Sequence, residues 1–183
     1  SGELPTRAAL VEMVKSIAGR NEQFYGVWMC WEPDAYDGKD GQLDKAAWNT
    51  ENGRFVPYAY RDGGSIKVMA LEDYQSAEYY KKPMRLGTET VLEPFTYEVE
   101  GEEVLMTTLA VPITVNGQRI GVAGLDLTLT SFSEMLADLD IQGGGYLSIL
   151  SENNSFVGHP NKTLAGSKAL KHYPWLESYL RNG

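Results

Sequence analysis

The sequence has few of the residues on which catalytic and metal sites depend. It contains one cysteine and two histidines, His159 and His172. One cysteine excludes an internal disulfide and any metal site built from several cysteines. No nucleophile elbow, zinc-protease helix, phosphate-binding loop or dinucleotide-binding glycine motif occurs in it. We therefore predict that the chain is not an enzyme and uses no cofactor and no metal.

Basic residues and long apolar runs are also scarce. The chain has 16 Lys and Arg against 25 Asp and Glu, a formal net charge of −9. Nucleic-acid binding needs clustered positive charge, so we predict no nucleic-acid partner. No apolar run approaches the roughly 18 residues of a membrane span. Hydrophobic residues make up 43% of the chain, enough for one large packed domain or one and a fraction.

The first periodic segment predicts an amphipathic helix over residues 5–21, with Thr6 as its N-cap. The opposite face of this helix is polar, so we expect it to lie on a larger body. Its apolar stripe is predicted to consist of Leu10, Met13, Val14 and Ile17.

The middle of the chain alternates β-like runs with turn residues. Segments 24–31 and 53–64 have the aromatic and apolar content of strands. Three more strands follow in 91–129, and Glu100-Gly101 and Asn116-Gly117 join them as two-residue hairpin turns. This order predicts an antiparallel meander.

Shorter signals predict the remaining elements. Residues 76–83 indicate a helical turn that stops at Pro83. We predict a hairpin over 146–160 and a short helix over 170–183.

Residues 130–140 predict one further helix, with Thr130 or Ser131 as its N-cap and Glu134 completing a capping box. Together these elements predict an α+β fold in which helices cover one face of an antiparallel sheet.

Aromatic residues are concentrated in the first half of the chain. Packing alone explains about half of them, because a buried tyrosine hydroxyl needs a hydrogen-bond partner. Further along, Asp126 interrupts an otherwise apolar strand, where it is bonded either to the backbone or to a ligand cation. Rings beside a carboxylate are suited to an amine or a quaternary ammonium group. The aromatic set is Trp28, Trp31, Tyr36, Tyr58, Tyr60, Tyr74, Tyr79, Tyr80, Phe95 and Tyr97.

Trp28 and Trp31 are three residues apart in a predicted strand. Residues three apart on a strand point to opposite faces, so at most one tryptophan faces a pocket. We expect Trp31 to be that residue, because it is nearer to the loop that follows.

An acidic loop comes directly after these tryptophans and contains Asp34, Asp37, Asp40 and Asp44. A spacing of three does not match a calcium-binding EF-hand loop. The loop is interpreted as a solvated lid or rim, with aspartates that stabilise turns.

The stretch EPFTYEVEGEEVLMTTLAVPITVNGQRIGVAGLDLTL, residues 93–129, resembles the centre of double-Cache (dCache) sensor domains. These are extracytoplasmic ligand-binding domains of bacterial chemoreceptors, sensor histidine kinases and diguanylate cyclases. The resemblance implies a PAS-like antiparallel sheet flanked by helices, in a periplasmic domain of a membrane-anchored protein. It also implies a truncated N-terminal signalling helix (1–22), a membrane-distal ligand-binding lobe (23–142) and the start of a membrane-proximal lobe (143–183). We also consider that the protein forms a homodimer.

Amino-acid-binding members of that family carry an arginine for the ligand carboxylate at the position of Ala77 here. Phe95 and Tyr97 stand where a tyrosine and an aspartate are expected, while Asp126 is retained. The resemblance thus implies a small amine or quaternary ammonium ligand. We predict ligand contacts from Trp31, Tyr58, Tyr60, Tyr79, Tyr80, Phe95, Tyr97 and Asp126.

Alternative ligands and roles remain open at this point. A purine would also stack on aromatic rings, and a carboxylate or betaine would need Arg54, Arg61 or Arg85 in the pocket. An exposed aromatic patch would instead indicate a protein-interaction module.

Overall fold

The structure is a computed structural model that describes residues 4–42, 46–141 and 143–180. The chain forms two compact units. The first runs to Val91 and includes Leu109–Asp126, and the second comprises Leu92–Thr108 and the chain from Leu127 onward. The division into residues 1–22, 23–142 and 143–183 stays a prediction.

The first helix, α1, spans Arg7–Arg20, and Thr6 is its N-cap as predicted, accepting a hydrogen bond from the Ala9 N–H at 3.2 Å. The predicted apolar stripe is partly wrong, because Met13 is 54% exposed and Ile17 is 44% exposed. The stripe that is buried is rotated about the helix axis from the predicted one, since each residue advances the helix by 100°. It consists of Leu10, Val11, Val14 and Ala18.

One seven-stranded sheet contains most of the strands, in the order β3-β2-β1-β7-β6-β4, and β5 also pairs with β6. Strand β1 pairs antiparallel with β2 and β7, as β6 does with β4 and β5. The predicted α+β fold with an antiparallel sheet is confirmed. The strands are β1 Gly26–Trp31, β2 Pro57–Asp62, β3 Ser65–Ala70, β4 Thr90–Val91, β5 Phe95–Val99, β6 Glu102–Val115 and β7 Gln118–Thr128.

Both predicted hairpin turns are present. Asn116 and Gly117 have φ values of 51° and 79°, and Glu100 and Gly101 have 50° and 86°. Two consecutive residues with positive φ form the turn whose twist matches the flanking strands. These local signals fix the β5–β6 and β6–β7 connections.

The helix predicted to stop at Pro83 continues past it. Helix α2 spans Glu78–Leu86 and includes Pro83, although proline donates no backbone hydrogen bond. The helix ends at Gly87, whose φ is 75° and whose N–H donates to the Pro83 carbonyl at 2.8 Å. Glycine at a left-handed position, rather than proline, therefore terminates this helix.

The second unit contains the remaining helices and a short hairpin. The N-cap of the helix predicted over residues 130–140 is Thr128 rather than Thr130 or Ser131, because the Thr128 hydroxyl accepts from the Ser131 N–H at 3.0 Å. The hairpin expected in 146–160 is confirmed. The elements are α3 Leu129–Ala137, β8 Ile149–Leu150, β9 Phe156–Gly158, α4 Ala169–His172 and α5 Glu177–Leu180.

His159, which follows β9, is buried among aromatic rings. Its ring centroid lies 5.0 Å from that of Tyr146 and 4.9 Å from that of Phe156. Its Nδ1 accepts a hydrogen bond from the Asn161 N–H at 2.9 Å, so this nitrogen carries no proton. Burial lowers the pKa of His159 below its usual value, and His172 acts in the same direction.

We expect this histidine to make the protein less stable in weak acid. Because the folded-state pKa is lowered, the unfolded chain binds a proton that the folded chain rejects. The contribution is fully present above the ordinary histidine pKa of about 6.5 and is lost as the pH falls from there through the lower folded-state pKa. Urea unfolding between pH 7.5 and 5.5 measures this slope. It should flatten in His159→Gln and persist in the control His172→Gln, in which an exposed histidine is changed. Equal slopes in all three proteins would contradict the assignment.

Candidate functional site

One face of the central strands gathers polar and aromatic side chains. Gly26 on β1 pairs with Tyr60 on β2 and with Asp126 on β7. In the next row, Trp28 pairs with Tyr58 on one side and with Gly124 on the other. Directly opposed residues of antiparallel strands project to the same side. We call this side the Asp126 face; it consists of Gly26, Trp28, Tyr58, Tyr60, Gly124 and Asp126.

Asp126 is 5% exposed and lies beside an indole ring. The Trp28 Nε1–H donates to its Oδ1 at 3.3 Å. Its backbone carbonyl accepts from the Tyr25 N–H at 2.9 Å, which holds the strand in place. A buried carboxylate is unfavourable unless charged or polar groups surround it. Asp126 therefore lies inside a strand, as predicted, and the Trp28 indole is its hydrogen-bond donor.

Aromatic pairs extend the Asp126 face toward helix α2. Trp28 contacts Tyr79 edge-on at 5.0 Å between ring centroids. Tyr58 and Tyr60 stack at 5.5 Å, and all four rings are buried. Next to them, Tyr80 contacts Tyr74 edge-on at 4.8 Å. Tyr58, Tyr60, Tyr79, Tyr80 and Asp126, five of the eight predicted site residues, thus belong to this part of the first unit.

Trp31 lies on the opposite side of the sheet, as the spacing of three requires. Its ring contacts that of Tyr36 at 4.9 Å, and it packs against the cluster of Leu10, Val11 and Phe55 under α1. The tryptophan that accompanies Asp126 is therefore Trp28. The signal that could have identified it is register, since Trp28 shares the parity of Gly26, the residue opposite Asp126.

The remaining predicted residues, Phe95 and Tyr97, belong to the second unit. They lie on β5, opposite Met106 and Val104 of β6, and are half-buried. Their described strand pairing lies within that unit.

The three arginines considered for a carboxylate have different surroundings. Arg61 donates to the Ala18 carbonyl at 2.7 Å and to the Asn21 carbonyl at 3.3 Å, so it caps the end of α1. Arg85 is exposed in the last turn of α2. Arg54 alone approaches the aromatic residues, by a hydrogen bond from its Nη2 to the Tyr74 hydroxyl.

The acidic loop is bound to helix α1 by ion pairs. The Arg7 Nη2 lies 2.7 Å from Asp37 Oδ1 and 2.5 Å from Asp40 Oδ1. The Asp34 N–H donates to Asp40 Oδ2 at 2.9 Å, and the Asp40 N–H donates to Asp34 Oδ1 at 2.9 Å. Asp44 lies outside the described residues. Within the described part of the chain, no group of three or more His, Cys, Asp and Glu could hold a metal ion.

A cavity of about 420 Å³ is lined by none of the predicted site residues and shares Gly124 with the Asp126 face. Apart from Glu89 and Thr90 its lining is apolar, and Glu89 is exposed. Aromatic faces and a carboxylate removed from water favour recognition of a cation, and the lining of this cavity offers neither. We therefore locate the candidate site on the Asp126 face. The cavity is lined by Val27, Glu89, Thr90, Val91, Leu109, Ala110, Val111, Ala123, Gly124 and Leu125.

Comparison with known proteins assigns this fold to extracytoplasmic sensor domains of chemoreceptors and histidine kinases. The chain belongs to the family described as methyl-accepting chemotaxis protein-like, first PDC sensor domain, whose family model matches residues 10–134. The predicted class of sensor domain and its extracytoplasmic location are confirmed. The role of this family is signalling. In the described residues, no helix has the length and apolarity to cross a membrane.

Particular relatives agree with this assignment. The methyl-accepting chemotaxis protein TlpQ of Pseudomonas aeruginosa is 28% identical over 171 residues, 84% of this chain and 24% of its own length. The extracellular domain of the histidine kinase mmHK1S-Z3 is 28% identical, with a TM-score of 0.83 over 99% of this chain and 66% of that one. The ligand-binding domain of the P. aeruginosa chemoreceptor PctC, in complex with GABA, is 20% identical to this chain. Its TM-score is 0.56 over 94% of this chain and 66% of that one, and at this identity the likeness shows only that the fold is shared. The chain spans about a quarter of TlpQ and about two thirds of these domains.

Proposed function

We propose that the chain is the ligand-sensing part of a membrane-anchored signal transducer and that it binds a small amine or quaternary ammonium compound. The observation that carries this proposal is Asp126, a carboxylate that is 5% exposed and lies against the Trp28 indole. Each aromatic face contributes about 0.5–2 kcal/mol to binding of a cation, depending on how far water is excluded. The carboxylate adds a charge-assisted hydrogen bond to any N–H of the ligand.

Aromatic rings near Asp126 are the proposed walls of the site. Trp28 takes the role predicted for Trp31, because it shares the Asp126 face. Phe95 and Tyr97 stay in the proposal on the strength of the sequence alone. The proposed ligand contacts within the first unit are Trp28, Tyr58, Tyr60, Tyr79, Tyr80 and Asp126.

Ligand binding would act on the receptor by favouring one of two arrangements of the domain. Helix α1 packs on the other face of the same strands, against Val27 and Ala59. Changes in strands β1 and β2 would therefore reach α1 directly.

Changing Asp126 to asparagine provides the first test. The variant keeps an acceptor for Trp28 but loses the negative charge, so we expect choline and pentylamine to bind about tenfold more weakly or worse. Isothermal titration calorimetry measures the loss, after a thermal-shift screen in which bound ligand raises the unfolding midpoint.

The control is Asp140→Asn, which changes an exposed aspartate of the second unit. Unchanged affinity in Asp126→Asn would reject the amine site. A screen that responds only to purines or to carboxylates would favour those ligands instead. A screen without any response would favour a protein-interaction module.

A further inference from the structure

A row of side chains in the first unit links the candidate site to the start of α1. Tyr80, a proposed ligand contact, meets the Tyr74 ring edge-on at 4.8 Å between centroids. The Tyr74 hydroxyl accepts a hydrogen bond from Arg54 Nη2. Arg54 Nε lies 3.5 Å from Asp40 Oδ2, and Asp40 Oδ1 lies 2.5 Å from Nη2 of Arg7, the first residue of α1. We call these five residues the Arg54 relay.

Burial makes the charges of the relay sensitive to one another. The side chain of Asp40 is 10% exposed and that of Arg54 is 15% exposed, while Tyr74 and Arg7 are buried. Charges removed from water interact more strongly than surface charges, because less solvent screens them. Burial also raises the pKa of Tyr74 to about 12, so this residue stays neutral. The positive charge of Arg54 is therefore balanced by Asp40 rather than by Tyr74.

The step between Arg54 and Asp40 is open in this structure. Arg54 Nε is buried and makes no hydrogen bond among the described residues. A hydrogen bond from a guanidinium to a carboxylate is about 2.8 Å long, so the step of 3.5 Å is about 0.7 Å too wide. Asp40 Oδ2 has room for this bond, because it has two lone pairs and accepts one N–H, that of Asp34, in the described part of the chain. An unbonded buried donor is unfavourable, so a small shift that closes the gap is favoured.

We propose that the Arg54 relay transmits the state of the candidate site to α1, and that the step between Arg54 and Asp40 is its switch. A ligand on the Tyr80 ring shifts Tyr74 and with it Arg54, which closes the gap to Asp40. The completed bond holds Asp40, and through it Arg7, more firmly in place. Coupling of this kind is reciprocal, so a change at Arg7 also alters affinity at the site. The inference rests on the proposed function and adds a route by which the site acts on the helix.

Hydrogen exchange followed by NMR tests the response to a ligand. The Asp40 N–H is bonded within the acidic loop and the Leu10 N–H within the first turn of α1, so each exchanges when its part of the structure opens. We expect saturating choline to slow both amides about tenfold in the wild type. In Tyr74→Phe, which lacks the hydroxyl bonded to Arg54, the slowing should be less than about twofold. The Gly87 N–H, at the end of α2, is the control within the same unit and should respond equally in both proteins.

A double-mutant cycle tests the relay without any ligand. Tyr74 and Arg7 are joined through Arg54 and Asp40. If they were independent, the effects of Tyr74→Phe and Arg7→Met on the unfolding equilibrium constant would multiply to within about twofold. We expect a departure of at least about fivefold, measured by urea unfolding. Tyr74→Phe combined with Lys15→Met, at an exposed ion pair of α1, is the control and should show independent effects.

The outcomes separate this inference from the proposed function. Independent effects in the cycle of Tyr74 and Arg7 would overturn the relay, whatever the ligand is. Choline that binds and slows the Asp40 and Leu10 amides equally in the wild type and in Tyr74→Phe would overturn it as well. If Arg7→Met does not fold, Arg7→Lys takes its place, since it keeps the charge but loses the fork that reaches two carboxylates. If neither choline nor pentylamine binds the wild type, the proposed amine site fails and the cycle alone decides the relay.

Discussion

We expect replacement of Arg7 with methionine to lower the free energy of unfolding by about 3 kcal/mol, because it removes the arginine partner of Asp37 and one of the two arginines beside Asp40. Arg7 is the first residue of α1 and is 5% exposed. Its Nε and Nη2 donate to both Asp37 oxygens at 3.1 and 2.7 Å. Its Nη1 donates to the Gly53 carbonyl at 3.0 Å. The expected loss is at the low end for a buried ion pair, since Asp37 is 22% exposed and partly hydrated.

Chemical unfolding measures this loss, and Lys15→Met is the matched control on the same helix. Lys15 forms an exposed ion pair with Glu12, so we expect its replacement to change stability by less than about 0.5 kcal/mol. A change below about 1 kcal/mol in Arg7→Met would show that the acidic loop does not depend on this arginine.

The pH dependence of this contact gives a second reading. The hydrogen bonds from Arg7 hold the pKa of Asp37 below its usual value. The resulting stability is present above the ordinary aspartate pKa, about 4, and is lost as the pH falls through the lower folded-state value. Arg7→Met should therefore lose less stability than the wild type on acidification in that range.

The sequence predicts those parts of the fold that depend on neighbouring residues. Thr6 caps α1 through the Ala9 N–H three residues later, and Asn116-Gly117 turns within two residues. Both interactions are local, so they are visible in a short window. The predicted end of helix α2 at Pro83 is wrong, because the helix continues through the proline and ends at Gly87.

The candidate site depends on strand register, which a single sequence does not contain. Asp126 and the tyrosines could be identified as unusual residues for their positions. That Trp28 rather than Trp31 lies beside Asp126 depends on the pairing of residues 26 and 126, a hundred positions apart. The roles of Arg54 and Arg61 likewise come from partners far away in the chain, Tyr74 and Ala18.

Gly124→Ala is expected to lower the free energy of unfolding by about 3 kcal/mol and to weaken amine binding, because it displaces the Trp28 indole. A Cβ at position 124 would lie 2.3 Å from Trp28 Cζ2 and 2.6 Å from Cε2, too close for any packed atoms. The indole is 2% exposed and cannot move aside without losing its hydrogen bond to Asp126. A double-mutant cycle checks the cause: in a Trp28→Phe background the smaller ring leaves room, so the cost of the added methyl group falls. Gly64→Ala, where no atom lies within 4 Å of the added Cβ, is the control. An equal cost of Gly124→Ala in both backgrounds would show that the close approach of the indole to β7 is not what requires glycine there.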